Sequence, residues 1–237
     1  MTAERRPFRI DFWLTVCAIP VLTVLLGLGF WQVERLEWKQ DIIIERAERF
    51  AAPSITVREI TGADLRRVEH RRVALRGRYL HDREILILNS VRHGQTGFDL
   101  VTPMVLEDGG SVLVNRGWVP RAWPSGQVVR RRPAGIVDVT GVLRGSGKGN
   151  PWIPDNDPKR SQWFFTDIAQ MAAHAGLKDA RSFIVKLAPG RDEDGYPKGP
   201  HASQKIRNKH LEYAITWFGL AAALVVIYVV YHVKRRE

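Results

Sequence analysis

Cysteine is almost missing from this chain of 237 residues, whose single thiol, Cys17, lies inside an apolar stretch. That excludes a disulfide framework and any Cys-based metal site, and with them a thiol-based copper chaperone. Catalytic motifs are missing as well: there is no HExxH, no GxSxG, no Walker loop and no dinucleotide fingerprint. GSGKG at 145–149 resembles a phosphate loop in outline, but no Ser or Thr follows its lysine and no strand-to-helix setting surrounds it, so it reads as a flexible turn. Nothing pairs a particular serine with a base, and the chain is not expected to be an enzyme. The rival class, a membrane-bound hydrolase, would need such a serine.

Charge is absent from two stretches, 12–33 and 213–233, of which the second carries His232 as its one imidazole. At about 1.5 Å per helical residue each covers about 30 Å, the thickness of a bilayer's hydrocarbon core. Trp and Tyr near their ends suit the lipid interface. The first stretch is longer than a signal-peptide core and has no small-x-small site after it, so it is read as retained. Only 11 residues precede it, which is short for an organelle transit peptide and favours a bacterial protein.

The expected organisation is a cytoplasmic segment 1–11, a transmembrane helix 12–33, a periplasmic α+β domain 34–212, a second transmembrane helix 213–233 and a cytoplasmic tail 234–237. Basic residues crowd both ends, and long loops translocate largely regardless of their charge, so the insert is assigned to the periplasmic side of a bacterial inner membrane. Overall, 36 Lys and Arg against 25 Asp and Glu leave a charge of +11. No nucleic-acid motif accompanies it, so anionic lipid headgroups or acidic partners are the expected counterparts and nucleic acid is not.

Within the insert, Leu36, Ile43, Ala47 and Phe50 recur at helical spacing, and the first helix should run on until Pro53 stops it. A short helix is expected at 63–69, with Thr61 or Asp64 as its cap. RRVALRGRYL and EILILNS flank His81 and Asp82 and read as a hairpin; GFDLVTPMVL and SVLVNRGWVP around EDGG read as another. VDVTGVLRG and SFIVKLA add strands, and a helix at 167–175 ends at Gly176. The stretches 144–159 and 189–203 read as loops, and no internal repeat is visible. The fold class is therefore a membrane protein with two transmembrane helices flanking an α+β, mainly antiparallel domain that can curl into a small barrel.

Of seven histidines, His210 stands out at the mouth of the second stretch. On a helix, His210, Ala214, Trp217, Ala221, Leu224 and Tyr228 form one stripe. One reading is structural, with small residues, Gly219 and Ala223 among them, letting two helices pack closely. The other is a haem site with His210 on the iron. The first stretch has no histidine, so a second axial ligand would come from elsewhere.

Four segments, in order, carry a resemblance: LGFWQVERLEWKQDII, FDLVTPMVLEDGGSVLVNRGWVP, PDNDPKRSQWFFTDIAQMA and HLEYAITWFGLA. Together they resemble the Surfeit locus protein 1 family of cytochrome c oxidase assembly factors over nearly the whole chain. The resemblance implies a domain outside the cytoplasm and a role in haem a delivery to, or maturation of, oxidase subunit I, alongside other assembly factors. It also implies transient haem a binding with His210 as axial ligand, and makes Trp217 and Tyr213 candidates for macrocycle contact. A scaffold that binds no cofactor is the alternative. In VNRGWVP, Gly117 would permit a tight strand end and Arg116 would form a buried ion pair or reach a haem propionate.

Overall fold

The computed structural model describes residues 11–60, 65–147, 149, 151–188, 195–199 and 208–234. The chain divides into two compact units, Met1–Glu45 with Lys205–Glu237, and Arg46–Gln204.

The first unit is a pair of helices long and apolar enough to cross a membrane, drawn from α1 (Phe12–Ala51) and α4 (His210–Lys234). They run antiparallel: Thr15 meets Tyr228, Gly29 meets Phe218, and Gln32 meets His210. On α1, Thr15, Ala18, Leu22, Leu25, Gly29, Gln32 and Leu36 are among the less exposed positions and are spaced alternately by three and four residues. His210, Ala214, Trp217, Ala221, Leu224 and Tyr228 answer them on α4. A 3.5-residue repeat keeps each seam turned toward its partner along the whole pair. The closest approach is at Gly29, where an added Cβ would lie 2.6 Å from the Phe218 ring.

The expected contact through Gly219 and Ala223 is not made, because both are exposed and nothing lies within 4 Å of a Cβ built at Gly219. These positions follow the seam residues Trp217 and Ala221 by two, a rotation of about 200° that turns them outward. Ala214 and Ala221, both 3% exposed, are the small residues that pack.

The second unit contains β1 (Ile55–Thr56), α2 (Leu65–Val68), β2 (Arg72–Tyr79), β3 (Ile85–Arg92), β4 (Gln95–Leu106), β5 (Ser111–Pro120), β6 (Val137–Arg144), α3 (Ile168–His174) and β7 (Ala180–Leu187). The sheet order is β1-β2-β6-β7-β5-β4-β3, and β2 also pairs with β4 through Gly77↔Leu106 and Tyr79↔Met104. That added pairing closes β2, β6, β7, β5 and β4 into a five-stranded barrel, the curled form expected of this sheet. Its pairs are antiparallel except β5 with β7.

Alternation in β2 follows from closure: Val73, Leu75 and Tyr79 are buried while Ala74, Arg76 and Arg78 are exposed. The barrel core collects Leu75, Met104, Val114, Leu143 and Val185. A second core, of Val101, Leu113, Trp163, Met171 and Ile184, packs under α3. β5 lies between the two and is buried on both faces, which is why SVLVNRGWV shows little alternation. Asp167 caps α3 by accepting from Gln170 N at 3.0 Å, and Gly176, with φ +65°, follows its end.

The second expected hairpin is β4–β5, but the first is not formed: β3 pairs with β4, and β2 with β6 and β4. Along one edge of β4, Gly77 opposes Leu106, Ile85 opposes Val101 and Arg92 opposes Gln95. β2 and β3 thus continue in one direction, and the short 3-10 turn His81–Arg83 is a kink rather than a reversal. The long β4 serves both, an outcome local turn chemistry does not reveal. The short helix is found as α2, while Thr61 and Asp64 lie outside the described residues. Of the 144–159 stretch all but 148 and 150 are described; it leaves β6, is tied by Gly147 N to Thr166 O at 2.8 Å, and ends in a 3-10 turn at Pro158–Arg160. Of 189–203, only 195–199 are described, and there Lys198 exchanges two backbone bonds with Trp118.

His70 connects α2 to β2 with φ +72°, and the Arg144 guanidinium donates to its Nδ1. A ring nitrogen that accepts must be unprotonated. Burial first, then the Arg144 charge, lowers the His70 pKa to about 4. The unfolded chain, with His near 6.5, binds more protons between those values, so stability present above that window is lost as pH falls through it. We expect His70→Asn, which tolerates the left-handed backbone, to flatten this part of the profile. Melting temperatures of both proteins at about pH 7 and about pH 4.5 check it: the drop should be smaller in the variant.

Candidate functional site: the helix-mouth histidine and the arginine hub

His210 begins α4, and its Nδ1 lies 2.7 Å from Gln32 Oε1. An amide oxygen only accepts, so Nδ1 carries a hydrogen and donates; in the neutral ring the lone pair is then on Nε2. Gln32 is 8% exposed, so the acceptor that orients the ring is itself fixed by packing. This is the arrangement in which imidazole ligates a metal, one nitrogen held by a neighbouring acceptor and the other presented. Were haem bound here, His210 is the residue that would hold its iron, through one nitrogen. Among the described residues no group of three or more His, Cys, Asp or Glu side chains could hold a metal ion.

Trp217 shares the seam with His210 and is half-buried, whereas Tyr213 is 52% exposed and lies off it. The other imidazole of α4 sets a contrast. His232 is 3% exposed, donates from Nδ1 to Tyr228 O at 2.8 Å and accepts at Nε2 from Asp11 N at 3.2 Å. Both its nitrogens are committed to the helix pair. Its burial is legible in hindsight, because position 232 extends the 224, 228 end of the stripe.

Arg116 belongs to the other unit and is the extra residue of a β-bulge: Leu100 opposes Gly117 and Val101 opposes Asn115. Its side chain is 5% exposed. One Nη lies 3.5 Å from Glu84 Oε1, the other donates to Arg131 O at 2.5 Å, and the guanidinium carbon stands 4.8 Å from the Tyr79 ring centroid. Arg116 thus forms the buried ion pair that was one of its two expected roles.

Glu84, 8% exposed, is the hub: its other oxygen accepts from Arg132 at 2.8 Å, and His81 Nδ1 is 3.2 Å away. Burial lowers the pKa of Arg116, and the charges of Arg131 and Arg132 act in the same direction, against Tyr79 and Glu84. Neither Glu84 nor Tyr79 stood out in the sequence, and RRRP at 130–133 gave no sign that Arg132 reaches a carboxylate while Arg130 and Arg131 donate to the carbonyls of Trp123 and Pro197.

The rest of VNRGWVP fixes the bulge. Asn115 donates to Asp99 Oδ2 at 3.1 Å and accepts from Gly117 N at 2.9 Å. Gly117 has φ +112°, and Trp118, 6% exposed, packs on Tyr196. The string most specific to the resemblance is a device for burying one guanidinium.

Comparison with known proteins agrees along the chain. A profile of the SURF1 family matches residues 19–222. Surfeit locus protein 1 of Takifugu rubripes is 33% identical over 222 residues, covering 86% of this chain and 90% of that protein. A SURF1-like protein of Rickettsia felis is 32% identical over 217 residues, covering 88% and 92%. Surfeit locus protein 1 of Homo sapiens is 32% identical over 230 residues, covering 90% and 75%. With the match extending from one apolar helix through the barrel to the other, the chain belongs to the SURF1 family.

Proposed function

We propose that this protein is a cytochrome c oxidase assembly factor anchored in a bacterial inner membrane, which holds haem a at His210 for delivery to oxidase subunit I. The observation that carries the haem reading is the Nδ1–Gln32 bond, which leaves Nε2 as a fixed donor at the helix mouth. Haem a is the cargo here, and the chain's part is to orient one imidazole and supply aromatic contact from Trp217 and Tyr213. Residues 12–33 and 213–233 span the bilayer, 1–11 and 234–237 are cytoplasmic, and 34–212 form the periplasmic domain. The spanning is supported by apolar side chains facing outward, such as Trp13 at 75% and Ile227 at 65% exposure, where a core helix would bury them. The oxidase role is the one implied by the family resemblance, and no catalytic step is assigned.

A second reading has its own support. The seam carrying His210 is occupied by helix packing, with Ala214 and Ala221 buried against α1, so a scaffold without cofactor, acting through the barrel surface on an assembly intermediate, needs only what is built. Visible spectra of detergent-purified protein, co-produced with haem a synthesis, separate the two. The haem reading expects a Soret band that His210→Ala removes while the melting temperature falls by only a few degrees. A protein without stoichiometric haem, or a band indifferent to His210→Ala, rejects it in favour of the scaffold.

A further inference from the structure

The barrel unit has a cavity that owes nothing to His210. It measures about 720 Å³, within the range of small-molecule sites, and Tyr79, Arg116, Arg131 and Arg132 are in its lining. Among the described residues the acid in the lining, Asp138, is engaged by Arg76 at 2.8 Å. Arg116 and Arg132 share the one carboxylate of Glu84, so that cluster carries one positive charge in excess. Tyr79 is 6% exposed, and its hydroxyl has no hydrogen-bond partner among the described residues. Burial raises its pKa to about 12, so at neutral pH it is an O–H donor. A buried hydroxyl without a partner costs stability, which a ligand oxygen would recover. Val139 and Leu187 give the same cavity an apolar wall.

We propose that this cavity binds a small molecule carrying a phosphate monoester or carboxylate on an apolar body. The anion is held by Arg132 and Arg116, accepts from the Tyr79 hydroxyl, and leaves the body against Val139 and Leu187. Arginine suits the role because its planar donors match such oxyanions.

Calorimetric titration of the full chain in non-ionic detergent tests this, with phenyl phosphate as probe, benzoate as its carboxylate counterpart and benzyl alcohol as the uncharged control. Saturable binding of one phenyl phosphate or benzoate per chain is expected, with none for benzyl alcohol. Arg132→Gln, at a side chain 40% exposed, should weaken binding about tenfold, and Tyr79→Phe about threefold, with melting curves confirming that both fold. Arg58→Gln, which removes the same charge from an exposed pair with Asp108, should leave binding unchanged. Displacement of phenyl phosphate by micelles containing phosphatidic acid would support the site with a lipid headgroup as its source, and no displacement would support it with a free ligand. The proposal is overturned if neither anion saturates at millimolar concentration, or if Arg58→Gln weakens binding as much as Arg132→Gln.

Discussion

Gly117→Ala is expected to take away a large share of the barrel's stability. At φ +112° an L side chain is strained by about 1–3 kcal/mol before any contact is considered. The added Cβ would also stand 2.1 Å from the Lys198 carbonyl oxygen, a backbone atom held by two bonds to Trp118. Relief requires breaking that pairing or flattening the bulge that buries Arg116. A total of about 4 kcal/mol is a large share of a typical stability of about 5–15 kcal/mol. Gly109→Ala is the control: its φ is +93° but nothing lies within 4 Å, so it carries the backbone strain alone. Melting temperature and yield in detergent should fall far more for Gly117→Ala than for Gly109→Ala; equal losses would mean that the Lys198 contact is unimportant.

Glu84→Gln is expected to destabilise the barrel by about 3–5 kcal/mol, because it leaves the guanidinium of Arg116 buried without its counter-charge. Most of that loss is the cost of the abandoned cation, so it should be partly reversible. Arg116→Met, added to Glu84→Gln, replaces the buried ions with a neutral pair and should recover part of the stability, although Arg131 O then loses a donor. Urea unfolding of the wild type, both single variants and the double variant gives the coupling directly. If the double variant were as unstable as the sum of the singles, Glu84 and Arg116 would be acting independently, and the hub would be no ion pair.

The parts of the fold legible from sequence are those governed by local periodicity. The two apolar helices, the β4–β5 hairpin around EDGG, strands β6 and β7, and α3 ended by Gly176 all follow from spacing and stop signals. The β2–β3 connection was not legible, because His81 and Asp82 look like a reversal and only the length of β4 makes them a kink. The site divides in the same way. His210 was visible as an imidazole at a helix mouth, but Gln32, 178 residues away in sequence, could not be matched to it without the pairing of the helices. Glu84 was invisible as the hub because its three partners come from separate stretches, at 81, 116 and 132. Gly219 and Ala223 show the opposite failure: a familiar spacing that the heptad phase of α4 turns away from the seam.

Restoration of oxidase assembly tests the central claim most directly. In bacterial cells lacking their own SURF1-family protein, the haem a absorbance of membranes and their cytochrome c oxidase activity would be measured with and without this chain. The account predicts that both rise severalfold when the chain is supplied and stay low with Gly117→Ala. Unchanged haem a absorbance and oxidase activity, with the chain present and folded in those membranes, would contradict it.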